Sequence, residues 1–124
     1  MTAPKRRFPT GCPEIGLTIR VGESAKLGHW DPQRQEIVVS PHQPEAGMHV
    51  VLLHELLHAV DDALVAAGVT ARRTSHRWIE SAAPNLLLAL VTAGVYTGIG
   101  RDEMLRFYRK NARGNKRHRK ERAR

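Results

Sequence analysis

The spacing of apolar residues along the chain changes from a strand period to a helix period near residue 45. Ile15, Leu17, Ile19 and Val21 alternate with other residues, the pattern of a half-buried strand. Glu36 to Ser40 reads as a second strand, stopped by Pro41. A weaker strand around residues 26–30 pairs with it as a hairpin, with Asp31-Pro32 as the turn signal. A helix is predicted from Glu45 or Ala46 to about Ala67, with Gly68 just past its end. Thr74 or Ser75 caps a second helix. Its wide apolar stripe runs through Trp78, Ile79, Ala82, Ala83, Leu86, Leu87, Leu90 and Val91. Pro84 interrupts this stripe and removes a bond to the Glu80 carbonyl, so a kink or a new helix start is expected near Glu80. A last short helix is predicted over residues 104–110. The pattern predicts an α+β fold, a small antiparallel sheet of about three strands packed on two helices.

Polar residues break the first helix at one place, His54-Glu55-Leu56-Leu57-His58. Positions i and i+4 share a helix face, so His54 and His58 can aim two imidazoles at one ion. Glu55 projects about 100° around the axis and can stand beside the ion without ligating it. This is the spacing of a Zn2+ site in which a carboxylate serves as general base. Catalytic zinc takes three protein ligands, and the candidates after His58 are Asp61, Asp62, His76 and Glu80. Glu80 is the preferred third ligand. An antiparallel helix pair returns it to the first helix, and its neighbours Trp78, Ile79 and Ala82 are a poor setting for a bare carboxylate. His76, one turn earlier, is the second choice and otherwise a candidate donor to substrate or oxyanion. Tyr96 and His29 are further candidates for that donor. Asp62 shares the face of His58 and is placed to accept a hydrogen bond from an imidazole. Trp30 and Trp78 are assigned to core packing ahead of lining the cleft.

Charge divides the chain further. The formal net charge is +8 over 124 residues, but residues 106–124 hold ten basic residues and one acidic, which leaves the rest at −1. The expected organisation is a flexible Pro-rich leader over 1–14, one domain over 15–105, and a disordered basic tail over 106–124. In that tail Arg113, Lys116, Arg117, Arg119 and Lys120 are candidates for nucleic-acid phosphate contacts. The single cysteine, Cys12, excludes an intrachain disulfide. No signal-peptide pattern opens the chain, and the apolar run over 86–100 falls short of the ~20 residues of a membrane span. A cytoplasmic monomer without membrane contact is expected.

HELLH, followed at this distance by HRWIESAAPNLL and preceded by GHWDPQRQEIVVS, resembles the small gluzincin-type zinc metallopeptidases. The likeness is greatest to the compact phage and bacterial ImmA/IrrE-like metallopeptidases, over roughly residues 15–100. It implies a minimal zincin fold, one Zn2+ held by His54, His58 and Glu80, and Glu55 as the general base that activates water against a peptide bond. No aspartate follows Glu80 four residues on, where larger gluzincins often carry one; Pro84 stands there. The substrate implied is a protein or peptide, laid antiparallel along the strand at Glu36–Ser40 by edge addition. Two other readings compete: a nucleic-acid-associated accessory protein with a structural or vestigial zinc site, and a zinc hydrolase of a non-peptide amide.

Overall fold

A computed structural model describes residues 8–110. The order is β1 (Gly11–Cys12), a 3-10 turn (Pro13–Ile15), β2 (Leu17–Val21), β3 (Gly28–Asp31), β4 (Glu36–Val39), α1 (Glu45–Ala66), α2 (His76–Thr92) and α3 over residues 101–110. The fold is α+β, as the patterning predicts, but the sheet has four strands in the order β1-β2-β4-β3 and is mixed. β1 and β3 pair antiparallel with their neighbours, whereas β2 runs parallel to β4. The prediction of about three antiparallel strands is corrected on both counts. A two-residue strand in a Pro-rich stretch shows no period, and alternation carries no information on strand direction. β4 is internal, so the sheet edge beside α1 is β3.

Residues 8–12 and 106–110, assigned to the leader and the tail, belong to the described fold. Residues 11–12 pair with β2, and the Phe8 ring lies 4.9 Å from that of His49. At the other end, residues 106–110 continue α3, with Phe107 and Tyr108 packed on the core. The five candidate phosphate-binding residues of the tail, Arg113 to Lys120, lie outside the described residues.

α1 is the middle layer. Leu52 packs with Ile19, Ile37 and Val39 of the sheet, while Leu53 packs with Ala83, Leu87 and Val91 of α2 and with Ile99 and Met104. Residues 52 and 53 are about 100° apart on the helix, so two cores clamp it from different sides. Gly68 and Gly94 take positive φ after α1 and α2. There the amide of Val69 reaches the Leu64 carbonyl, and that of Val95 the Leu90 carbonyl, the Schellman stop that favours glycine. Ser75 caps α2 as predicted, accepting from the Trp78 amide at 3.2 Å. α2 runs unbroken through Pro84, so no new helix starts near Glu80. The Pro84 carbonyl accepts from the Tyr108 hydroxyl of α3. No helix among the described residues is long and apolar enough to cross a membrane.

His49 sits on α1, 1% exposed, with Nδ1 bonded to the Tyr96 hydroxyl. Burial pushes its pKa below 6.5, against a smaller upward pull from Glu103. It therefore folds neutral, while the unfolded chain takes a proton near pH 6.5. Stability should be full above that pH and fall as pH drops through the lower folded value. His49→Gln should lose less stability than wild type between pH 7 and pH 5 in urea titrations; equal losses would exclude His49 as a source of the acid sensitivity.

Candidate metal centre

α1 presents one unpacked stripe between its two buried sides. Val50, His54, His58 and Asp62 follow each other at i+4, with Val51 and Glu55 beside them, and all six line an open hollow of about 790 Å³. β3 forms one wall. Gly28 allows this, because a Cβ there would lie 2.4 Å from a Val51 methyl and 2.8 Å from the Val38 carbonyl oxygen. A side chain would push the strand off the helix. α2 forms the opposite wall with His76 and Glu80.

His54, His58 and His76 each bring one ligand nitrogen to within 4.8 Å of the others. The Nε2 atoms of His54 and His58 are 3.1 Å apart. Ring centroids are 4.8 Å apart for His54 with His58 and with His76, and 5.4 Å for His58 with His76. Four-coordinate zinc with bonds of ~2.0 Å holds its ligand nitrogens about 3.3 Å apart, so a small rotamer adjustment closes the trio on one ion. Burial pushes the pKa of His54 down, and the charges of His58 and His76 push it further; Glu80 opposes. His58 is lowered by burial and by His76, against Asp61 and Asp62. Both shifts favour the neutral imidazole, the form that ligates.

Glu55 is 9% exposed and lines the same hollow. Burial raises its pKa, and His76 and Lys26 partly counter that. Glu80 lines the same wall, its Oε1 3.1 Å from His76 Nε2. The three-residue group that the geometry assembles thus contains His76, with Glu80 hydrogen-bonded to it.

The remaining candidates separate. His29 lines the hollow, with Nδ1 2.9 Å from the Ser24 hydroxyl. Tyr96 does not; its hydroxyl is engaged by His49 in the helical core. Asp62 lines the hollow, but its carboxylate accepts from Trp30 Nε1 at 2.8 Å and Arg73 Nε at 2.5 Å rather than from an imidazole. Burial raises its pKa, yet these two bonds and the Arg73 charge outweigh that and leave it below the ordinary value. Trp30 packs on the sheet core as expected and also lines the hollow, whereas Trp78 is 56% exposed and lines neither the hollow nor the core. The positive charges of Lys26 and Arg73 in the lining were not foreseen; a lysine and an arginine in connecting segments carry no periodic signal.

Asp61, the first ligand candidate after His58, lies outside the imidazole group and is 6% exposed. Its carboxylate accepts from the Thr74 amide at 2.8 and 3.0 Å and from the Thr74 hydroxyl at 3.0 Å. Thr74 lies two residues before His76, so this clamp fixes how α2 starts beside α1. Nothing in the family models, the curated proteins or the solved structures matches the chain. Asp61→Ala leaves two donors without their buried acceptor, and the unfolding free energy should fall by about 1–3 kcal/mol. Chemical denaturation measures this, and a change under ~0.5 kcal/mol, the size of an ordinary surface substitution, would contradict the clamp.

Proposed function

We propose that the protein is a zinc-dependent metallopeptidase that hydrolyses peptide bonds. The observation that carries this reading is the convergence of three imidazole nitrogens within 4.8 Å, with the buried carboxyl of Glu55 in the same hollow. The donor set fits zinc. Three neutral nitrogen ligands leave a fourth position open, the pattern of catalytic rather than structural zinc. Zinc bound there supplies a Lewis acid and makes water acidic near neutral pH.

The chain's own residues do the rest in this reading. His54, His58 and His76 hold the ion; Glu80 contacts His76 Nε2, so in this reading His76 ligates through Nδ1 while Glu80 fixes its ring. Glu80 as third ligand, in place of His76, is the alternative that the sequence favours. Glu55 takes the proton of the attacking water and returns it to the leaving nitrogen. Its raised pKa suits both transfers. The Arg73 guanidinium, with Nε held by Asp62, is the cationic group on the α2 side of the hollow and a candidate to steady the developing oxyanion. The minimal zincin arrangement expected from the resemblance accords with a sheet, an active-site helix and a second helix in this order.

Substrate docking follows from the strand register. Ser40 donates to the Leu27 carbonyl, and β3 pairs Gly28 with Val39 and Trp30 with Ile37. Antiparallel pairs alternate between hydrogen-bonded and non-hydrogen-bonded, so the backbone groups of Gly28 and Trp30 point away from β4. A peptide adding at this edge meets them directly, on β3 rather than on the internal strand β4.

Purified protein should bind one zinc per chain and cleave casein or a peptide library. Glu55→Gln should keep the zinc and lose at least ~100-fold in rate. Absence of bound zinc, or a Glu55→Gln form as active as wild type, would sink the reading. Chelator competition separates the ligand sets. His76→Ala should nearly abolish zinc binding while Glu80→Gln weakens it about 10–100-fold; the reverse order would make Glu80 the ligand.

A further inference from the structure

A second hollow of about 760 Å³ lies beside the first and shares Leu27, Val50 and Val51 with it. The two are one trough. Its floor is the open stripe of α1, from Ala46 and Gly47 through Val50 and Val51 to His54 and His58. The far half is apolar at the base, with Val50 and Phe107, and Arg106 and Lys110 of α3 line it above. These two cations are four residues apart on one helix and so share a face. Glu103 also lines the hollow, which leaves cations in excess.

Gly47 keeps this half deep. It lies in the first turn of α1, where glycine is less favourable than alanine by up to ~1 kcal/mol. A Cβ there would meet only the Gln43 side chain at 3.3 Å and the Phe107 ring at 3.7 Å. Packing therefore does not demand the glycine, and a larger side chain would fill the trough.

We infer that the second hollow is a specificity subsite for an acidic side chain of a peptide substrate, placed about three residues C-terminal to the bond at the three imidazoles. This rests on the peptidase reading for the position of the bond. The direction follows from the sheet. A strand antiparallel to β3 runs from Trp30 toward Leu27, and so from the first hollow into the second. The spacing follows from the helix. Gly47 and His54 are seven residues apart, about 10 Å at 1.5 Å per residue, which an extended peptide covers in about three residues. The chemistry follows from the lining: an apolar base accepts the methylenes of a glutamate, and Arg106 and Lys110 meet its carboxylate.

The test uses the full chain with zinc and two fluorescent peptides that differ only by Glu or Lys at that position. Binding is read by anisotropy on the Glu55→Gln form, and cleavage on the form with Glu55 intact. The Glu peptide should bind about tenfold more tightly than the Lys peptide at low salt, a preference that Arg106→Glu with Lys110→Glu should reverse. Both cations are exposed on α3, so the fold should survive the change, and circular dichroism checks it. Equal binding of the two peptides, or a preference that the charge reversal leaves unchanged, overturns the subsite. Cleavage without charge selectivity removes the subsite and keeps the peptidase. Charge-selective binding that the double variant reverses, with no cleavage of either peptide by the form with Glu55 intact, keeps an acidic-peptide groove and removes the peptidase.

Discussion

The clamping of α1 between two cores is the constraint on which the rest of the structure depends. A helix packed on one side has a wide polar face, and its titratable residues can point anywhere on it. α1 has the sheet against Leu52 and Leu56 and the other helices against Leu53 and Leu57. At about 100° per residue, the stripe left between them holds His54 and His58, with Glu55 at its sheet-side margin. Gly28 brings β3 to one lip of this stripe, and the Asp61–Thr74 clamp sets α2 at the other. The hollow is a consequence of packing on both sides of one helix.

Much of this was legible in the sequence, and the reasons differ by element. α1 and the start and stop of α2 were readable because capping chemistry is local: Ser75 and Gly68 act within a few residues. The sheet was half readable. Val38 is fully buried along with Ile37 and Val39, since β4 is flanked by strands on both sides, and that continuous apolar run marks an internal strand. The expectation of a peptide along Glu36–Ser40 treats that strand as an edge, whereas β4 is internal and β3 is the edge. Pro84 was read as an interruption, yet α2 continues through it; a proline removes one bond, and the packing of Ala83 and Leu87 on either side holds the helix.

The candidate site was legible as far as residues on a single helix could carry it. The HELLH spacing put His54 and His58 together without any tertiary knowledge. The same spacing leaves out His49, five residues before His54, which is buried against Tyr96 and Phe8 away from the hollow. Nor could it fix how α2 lies against α1, which decides between His76 and Glu80. These two residues are i and i+4 on one face, so either can reach the ion if the helix shifts by a turn. Long-range bonds from Asp61 to Thr74 and from Asp62 to Trp30 and Arg73 set that position. Two adjacent aspartates at a helix end look like solvated charge until those partners are known.

The choice between His76 and Glu80 changes more than a ligand name. Three neutral imidazoles leave the full double charge of a zinc ion at the site, whereas a carboxylate in place of one of them cancels half of it. The more positive site would polarise a carbonyl and acidify water more strongly, and it would also hold a carboxylate product more tightly. With Glu80 hydrogen-bonded to His76, the carboxylate charge is still present but acts through the ring, making the imidazole a stronger donor. The arrangement is intermediate in charge between the two extremes. Burial raises the pKa of Glu55 against the pull of His76 and Lys26, and a more positive ion beside it would pull it down further. The ligand choice would therefore set how much of the burial effect on Glu55 survives once an ion is bound.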